Sequence, residues 1–339
     1  MNIQQSIAHL VDGLDLTQAE AHRIMDQIMS GEATDAQIGA YLTALRIKGE
    51  TVEEIAGSAL AMREKALQVK ADGVVVDTCG TGGDGSGTFN ISTTAAFVVA
   101  ASGVNVAKHG NRSISSKSGS ADVLKALGVN IEAGPEIVER CIAVANIGFI
   151  FAPKHHGAMR HVMGPRRELA MRTIFNLLGP LTNPANAPFQ IIGVFDGALT
   201  EPMALVLGRM GSKRALVVHG SDGLDEITTT GPTRVAELDK NGRVSSYVIE
   251  PEQFGLPRAE SKDLKGGEAG DNAKITLSVL GGEKGPQRDI VALNAGAGLC
   301  VAGMARDIGS GLEMACGLID SGKAMEKLSL LVKTSNQPV

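Results

Sequence analysis

Residues 77–93, DTCGTGGDGSGTFNIST, bring five glycines together with hydroxyl and amide side chains and contain no lysine. Glycines let backbone N–H groups approach an anion closely, and a helix expected from about Thr93 adds the positive end of its dipole. Gly80, Gly82 and Gly85 also satisfy GxGxxG. A dinucleotide site would start its helix inside the motif and place an acid about twenty residues on, and the stretch near Asn105 holds none. The GK[ST] of a P-loop is absent. A second loop, KHGNRSISSKSGSAD at 108–122, adds Lys108, Arg112 and Lys117 to a run of serines. Two such loops suit a ligand with more than one phosphate. Asp222, Asp225 and Glu226 crowd a third loop, HGSDGLDEITTTG at 219–231. Carboxylates beside a phosphate site favour oxygen-bound Mg²⁺. His155, His156 and His161 match no zinc spacing.

Composition limits what these loops can serve. The net charge is −5, whereas a duplex binder carries a basic surface, and 3% aromatic residues leave few stacking platforms for single strands. The four cysteines form no CxxC pair, which predicts free thiols in a reducing cytoplasm rather than a zinc site. No apolar run spans a bilayer, and the first residues carry no basic export signal.

The elements that must position the loops fall into two textures. The first 70 residues read as helices, with hydroxyl N-caps facing Glu or Gln three residues on at Thr17/Glu20, Thr34/Gln37 and Thr51/Glu54. From Val74, β-branched runs at 74–77, 104–110, 147–153, 189–195 and 214–220 alternate with helical runs, near 120–127 and 201–211 among others. This predicts βαβ units and a mostly parallel sheet, whose ligands bind beyond the carboxyl ends of the strands. The loops after 77, 107, 153 and 218 are therefore expected to converge. The fold class is α/β: a small all-helical domain, 1–70 with 165–188, and a large α/β domain, 71–164 with 189–339, its sheet flanked by helices.

GTGGD at 80–84, NIST at 90–93, KHGN at 108–111, GPRRE at 164–168, NLLGPLTNP at 176–184 and GLDEIT at 223–228 follow one another along the chain. In this set the sequence resembles the anthranilate phosphoribosyltransferase family of tryptophan biosynthesis, whose fold is similar to that of the type II nucleoside phosphorylases. The resemblance implies transfer of a phosphoribosyl group from phosphoribosyl pyrophosphate (PRPP) to the amine of anthranilate, Mg²⁺ as cofactor with two ions per site, and a cytoplasmic homodimer joined through its small domains. It implies PRPP contacts at Gly80, Gly83, Asp84, Thr88, Asn90, Ile91, Ser92, Thr93, Lys108, Ser116 and Ser120. It implies anthranilate contacts at Gly80, His109, Asn111 and Arg166, and metal ligation by Ser92, Asp225 and Glu226. No residue is assigned as a general base. The sequence departs from the family pattern at Gly157, where Pro is expected, and at Ser113, where Ala is expected. KHGN with GTGGD argues against a pyrimidine nucleoside phosphorylase. The acids of the third loop argue against a non-catalytic, nucleic-acid-binding relative.

A guanidinium grips a carboxylate through two parallel hydrogen bonds. Arg166→Ala is therefore expected to raise the KM for anthranilate about tenfold or more, as befits a charge-assisted bond, with little change in PRPP affinity. Steady-state kinetics with each substrate varied in turn checks this, and an unchanged anthranilate KM removes Arg166 from the site.

Overall fold

The computed structural model describes residues 1–113 and 117–338. Four helices open the chain: α1 (Ile3–Val11), α2 (Gln18–Met29), α3 (Asp35–Lys48) and α4 (Val52–Lys65). The three anticipated capping boxes start α2, α3 and α4, each with both reciprocal bonds formed. A fourth, Asn2 with Gln5, starts α1, a helix the sequence reading did not single out. Thr51 and Glu54 do more than cap α4. Glu54 is wholly buried, accepts from the Leu16 and Thr51 amides, and pairs with Lys48. One carboxylate thus ties α4 to the end of α3 and the start of α2.

The rest alternates strand and helix: β1 (Val75–Gly80), α5 (Ile91–Ala101), β2 (Asn105–Gly110), α6 (Ser120–Ala126), α7 (Pro135–Ala145), β3 (Ile147–Phe151), α8 (Ala152–His155), α9 (Met163–Leu169), α10 (Phe175–Leu181), β4 (Phe189–Gly193), α11 (Thr200–Arg209) and β5 (Arg214–Gly220). Then come β6 (Thr233–Leu238), β7 (Val244–Ile249), α12 (Ala269–Leu280), α13 (Pro286–Val301), α14 (Ile308–Asp320) and α15 (Lys323–Ser335). The strands form one sheet in the order β3-β2-β1-β4-β5-β6-β7. The first five are parallel, as expected, and β6 and β7 extend the sheet as an antiparallel hairpin. That hairpin was not anticipated, although its turn, DKNGR at 239–243, carries the Asn-Gly signal of a tight turn.

Two large cores hold the layers together. On one face, α5 and α13 are apolar through most of their length beyond the first turn and are buried there against the sheet, alongside α15 and β1–β3. On the other, Ile24, Ile28, Tyr41 and Leu42 of the opening helices share a core with Val162, Phe175, Leu178 and Leu181, and with Met203 and Leu207 of α11 and Ile192 of β4. The segment around α10 therefore returns to the opening helices. No helix among the described residues is long and apolar enough to cross a membrane.

The parallel strands put the carboxyl ends of β1 to β5 on one edge. There the backbone pairing is uneven. β1 pairs with β4 from Val76 through Gly80, but with β2 only at Val75 and Val76. Beyond that point side chains span the gap. The Asp77 carboxylate accepts from the His109 amide at 3.1 Å, and the Lys108 ammonium donates to the Thr78 carbonyl at 2.5 Å.

Candidate functional site

The glycine loop leaves β1 and is fastened at its root. The Thr81 amide donates to the Gly193 carbonyl at 2.9 Å, and the Thr81 hydroxyl accepts from the Phe195 amide at 3.0 Å. Gly82, Gly83, Gly85 and Gly87 all adopt positive φ, so the loop uses its glycines for backbone shape as well as for access. Asp84 folds onto its own loop, accepting from the Ser86 amide and hydroxyl. Beyond it, Thr88 forms an isolated β-bridge with Lys265, whose ammonium donates to the Ser86 carbonyl at 2.8 Å.

The loop ends at α5, whose N-cap residue, Asn90, makes no side-chain capping bond. The Asn90 amide instead accepts from Asn272 at 2.9 Å and donates to the Ser118 carbonyl at 3.2 Å, joining the first phosphate loop to the second. An N-terminus left without a side-chain cap is a ready seat for an anion. Ile91 and Thr93 are buried in the first turn.

The two acids of the third loop arrive from across the sheet. Asp225 accepts from the Gly82 amide at 2.9 Å, and Glu226 accepts from the Ser92 amide at 3.0 Å. A Cβ on Gly193 would overlap the Asp225 carbonyl, and one on Gly80 would press on its carboxylate. The loop therefore rests directly on the ends of β1 and β4. Burial pushes both carboxyls above the usual range. Asp84 adds to this for Asp225, and Asp225 adds to it for Glu226. Neither acid pairs with a basic side chain among the described residues, although the charge of Lys108 favours ionised Glu226.

No three His, Cys, Asp or Glu side chains among the described residues cluster tightly enough to hold an ion by themselves. That suits Mg²⁺, which binds through one or two carboxylates and takes its other oxygens from water and substrate phosphate. The donor set fits: two crowded carboxylates with the Ser92 hydroxyl beside them.

Lys108 is 2% exposed. Burial lowers its pKa, against the opposing charges of Asp77, Cys79, Glu226 and Asp225. Ser120 opens α6 and donates to the Asn111 carbonyl at 3.2 Å. The Asn111 side chain accepts from the Arg112 amide. Ser116 lies outside the described residues.

On the acceptor side, His109 is buried with its Nε2 3.3 Å from Nε2 of His156. Burial holds His109 well below the usual 6.5, and the neighbouring histidines add to the shift. Burial, with His155, pushes His156 down to about 4. Two neutral imidazoles therefore face each other. Arg166, on α9, is half-buried with its guanidinium 5.1 Å from the Phe175 ring centre. It makes no side-chain hydrogen bond or ion pair among the described residues, so its donor fork is unspent.

The structure thus joins Gly80, Gly83, Asp84, Thr88, Asn90, Ser92, Asp225 and Glu226 directly through the loop contacts, with Lys108 beneath them. His109 and Asn111 stand on the next strand end, and Arg166 is held apart on α9. Sequence reasoning missed Asp77, Arg172, Lys265 and Asn272. The Arg172 guanidinium donates to the Gly83 carbonyl at 2.7 Å.

Comparison with known proteins agrees across the chain. The model of the glycosyl transferase family α/β domain matches residues 72–325, and that of the same family's helical bundle domain matches residues 4–66. The chain is 56% identical over 331 residues to an anthranilate phosphoribosyltransferase of Moorella thermoacetica, with 97% of each chain covered. It is similar to the solved anthranilate phosphoribosyltransferase of Thermus thermophilus, with a TM-score of 0.93, 45% identity, and 98% and 99% of the two chains covered. The Saccharomyces cerevisiae enzyme solved in complex with PRPP and Mg gives 0.88 at 27% identity, covering 98% and 97%.

The depressed histidine has a consequence for stability. The folded chain holds His156 neutral down to about 4, while an unfolded histidine takes its proton near 6.5. Between those values the unfolded state binds the extra proton. The contribution of His156 to stability is therefore full above 6.5 and is lost as pH falls toward 4. Thermal unfolding of the wild type and His156→Asn across this range checks it. The gap between their midpoints should move against the wild type on acidification, and a constant gap refutes the depressed pKa.

Proposed function

The chain belongs to the glycosyl transferase family and, within it, to the anthranilate phosphoribosyltransferases, and on that premise we propose how its own residues divide the work. The reaction transfers the phosphoribosyl group of PRPP to the amine of anthranilate. It yields N-(5-phosphoribosyl)anthranilate and pyrophosphate, a step of tryptophan biosynthesis.

The C1–O bond of PRPP breaks with its electron pair leaving on pyrophosphate, and the amine lone pair forms the C1–N bond. Negative charge gathers on the leaving group, so stabilisation there is the largest lever available. The amides of the glycine loop and the N-terminus of α5 take the pyrophosphate, with Thr88, Asn90, Ser92 and Thr93 beside them. Lys108 contributes its charge from below, and Ser116 and Ser120 complete the second loop. Asp225, Glu226 and Ser92 would hold Mg²⁺, which would supply positive charge to neutralise the departing pyrophosphate. Two ions per site suit the two acids, since Asp225 faces Gly82 and Asp84 whereas Glu226 faces Ser92 and Lys108.

The acceptor arrives as a free amine and needs placement more than deprotonation. Arg166 grips its carboxylate, Gly80 and Asn111 contact it, and neutral His109 walls its pocket. Once the C1–N bond has formed, the nitrogen's proton passes to pyrophosphate or water. Holding the two reactants at contact distance is worth ~7–11 kcal/mol.

The division into residues 1–70 with 165–188, and 71–164 with 189–339, is supported by the packing of α9 on α3 and of α10 on α4, within a core that also runs on to α11 and β4. Val11 and Ile47 on those helices and Leu14 in the link after α1 stand 71%, 82% and 50% exposed, which supports a homodimer through the small domain. Light scattering at micromolar concentration is expected to report twice the chain mass, and a monomer refutes this. Four free cysteines suit a reducing cytoplasm, a location that cell fractionation tests.

The observation that carries the reading is the seating of Asp225 and Glu226 on the amides of Gly82 and Ser92. Asp225→Asn with Glu226→Gln is expected to weaken Mg²⁺ binding and cut turnover by several orders of magnitude. The loss of anthranilate fluorescence with PRPP and Mg²⁺ measures it. Full activity of the double variant at low Mg²⁺ removes the two acids from the metal site.

A further inference from the structure

Arg172 lies in the short link between α9 and α10, six residues beyond Arg166. Its guanidinium donates to the Gly83 carbonyl at 2.7 Å and stacks 3.9 Å from the centre of the Phe195 ring. The backbone amide of Phe195 in turn donates to Thr81, at the root of the same loop. An exposed arginine is therefore held by a ring on one side and spends a charged N–H on a loop carbonyl.

That carbonyl matters because of what shares its peptide plane. In a trans peptide the C=O of Gly83 and the N–H of Asp84 point in opposite directions, and the chain has no cis peptide among the described residues. Gly82 and Gly83 sit at φ of +64° and +75°, and nothing lies within 4 Å of where a Cβ on Gly82 would be. A flip of the 83–84 peptide turns ψ of Gly83 and φ of Asp84, so glycine frees one side of the bond, and on the other only the bonds from Ser86 to the Asp84 carboxylate hold the loop's own shape. One orientation presents an N–H to an anion and the other presents a carbonyl oxygen, which repels it. The Asp84 amide makes no hydrogen bond among the described residues.

We propose that Arg172 is a positioning residue for the donor loop, which pins the Gly83 carbonyl so that the Asp84 amide is turned toward the pyrophosphate of PRPP. This rests on the reading of the glycine loop as the PRPP site. It also gives the link between α9 and α10 a second task, since the stretch that follows the acceptor arginine holds the donor loop in its binding form. The planar fork of arginine suits both contacts, and lysine would keep the charge but lose the stack.

The test is steady-state kinetics and thermal unfolding of Arg172→Ala and Arg172→Lys, with Ser92→Ala as a reference for the loop. Arg172→Ala is expected to raise the PRPP KM about tenfold or more, the scale of a charge-assisted hydrogen bond, while kcat and the anthranilate KM stay within about threefold. Arg172→Lys should recover part of the loss, and the unfolding midpoint should not move. A PRPP KM unchanged in Arg172→Ala but raised in Ser92→Ala overturns the role of Arg172 and leaves the loop as the PRPP site. Unchanged PRPP KM in both overturns the loop assignment as well. A rise in both substrate KM values together with a lower midpoint means that Arg172 is only structural, which also overturns the proposal.

Discussion

Asp225 and Glu226 are half-buried carboxylates with no basic partner among the described residues, and the sheet edge is organised around that imbalance. Burying an ionised carboxylate costs several kcal/mol unless it is paired or hydrogen-bonded. Here the compensation comes from backbone amides at Gly82 and Ser92, both belonging to the loop that must bind an anion. The acids thus shape the glycine loop, and the loop holds the acids. What the arrangement still lacks is positive charge. Lys108 supplies part of it from beneath, itself held up against burial by Asp77 foremost. On the proposed reading a divalent cation would supply the rest, with a pyrophosphate group balancing it.

The topology makes this meeting possible. Asp225 lies 143 residues from Gly82, yet both follow strands that end on one edge, because β1, β4 and β5 run parallel and adjacent. Gly193 allows the contact, since any side chain there would occupy the space of the Asp225 backbone. On the far side of β1 the ladder to β2 stops early, and two side-chain bonds replace the missing backbone ones. The same two bonds orient Lys108 and the backbone of His109. A break in regular pairing has become the place where a donor-side cation and an acceptor-side imidazole are both fixed.

What could be read from the sequence follows from the range of each interaction. The capping boxes act over three residues, so Thr17, Thr34 and Thr51 announced their helices directly. The glycine loop, the cationic loop and the acidic loop each carry their chemistry within a dozen or so residues, and their convergence followed from the alternation of strands and helices. Lys265 and Asn272 were invisible for the opposite reason. They meet the glycine loop across 179 and 182 residues, from a stretch whose own composition is that of an ordinary surface turn. Asn90 was legible as a donor but not as a bridge, because its partners come from far along the chain, Asn272 from the first turn of α12 and Ser118 from the second loop. The hairpin of β6 and β7 did carry its turn signal, but the parallel pattern of the preceding strands gave no reason to expect an antiparallel extension.

On the proposed division of the site, its two halves differ in kind, and the difference would let the reaction proceed without a catalytic base. The donor half concentrates charges, amide dipoles and a helix N-terminus where negative charge develops. The acceptor half offers an unspent guanidinium and two imidazoles that burial keeps neutral. A protonated histidine there would place a positive charge beside a ribose carbon that is itself becoming positive as pyrophosphate leaves. At short range in a poorly solvated pocket, that repulsion would oppose the reaction. Neutral, mutually packed imidazoles avoid it while still walling an aromatic ring. On the proposed reading, the burial that makes His109 a poor proton carrier is part of what makes the pocket compatible with a cationic transition state, and Arg166 would hold the acceptor carboxylate from α9, apart from the imidazoles.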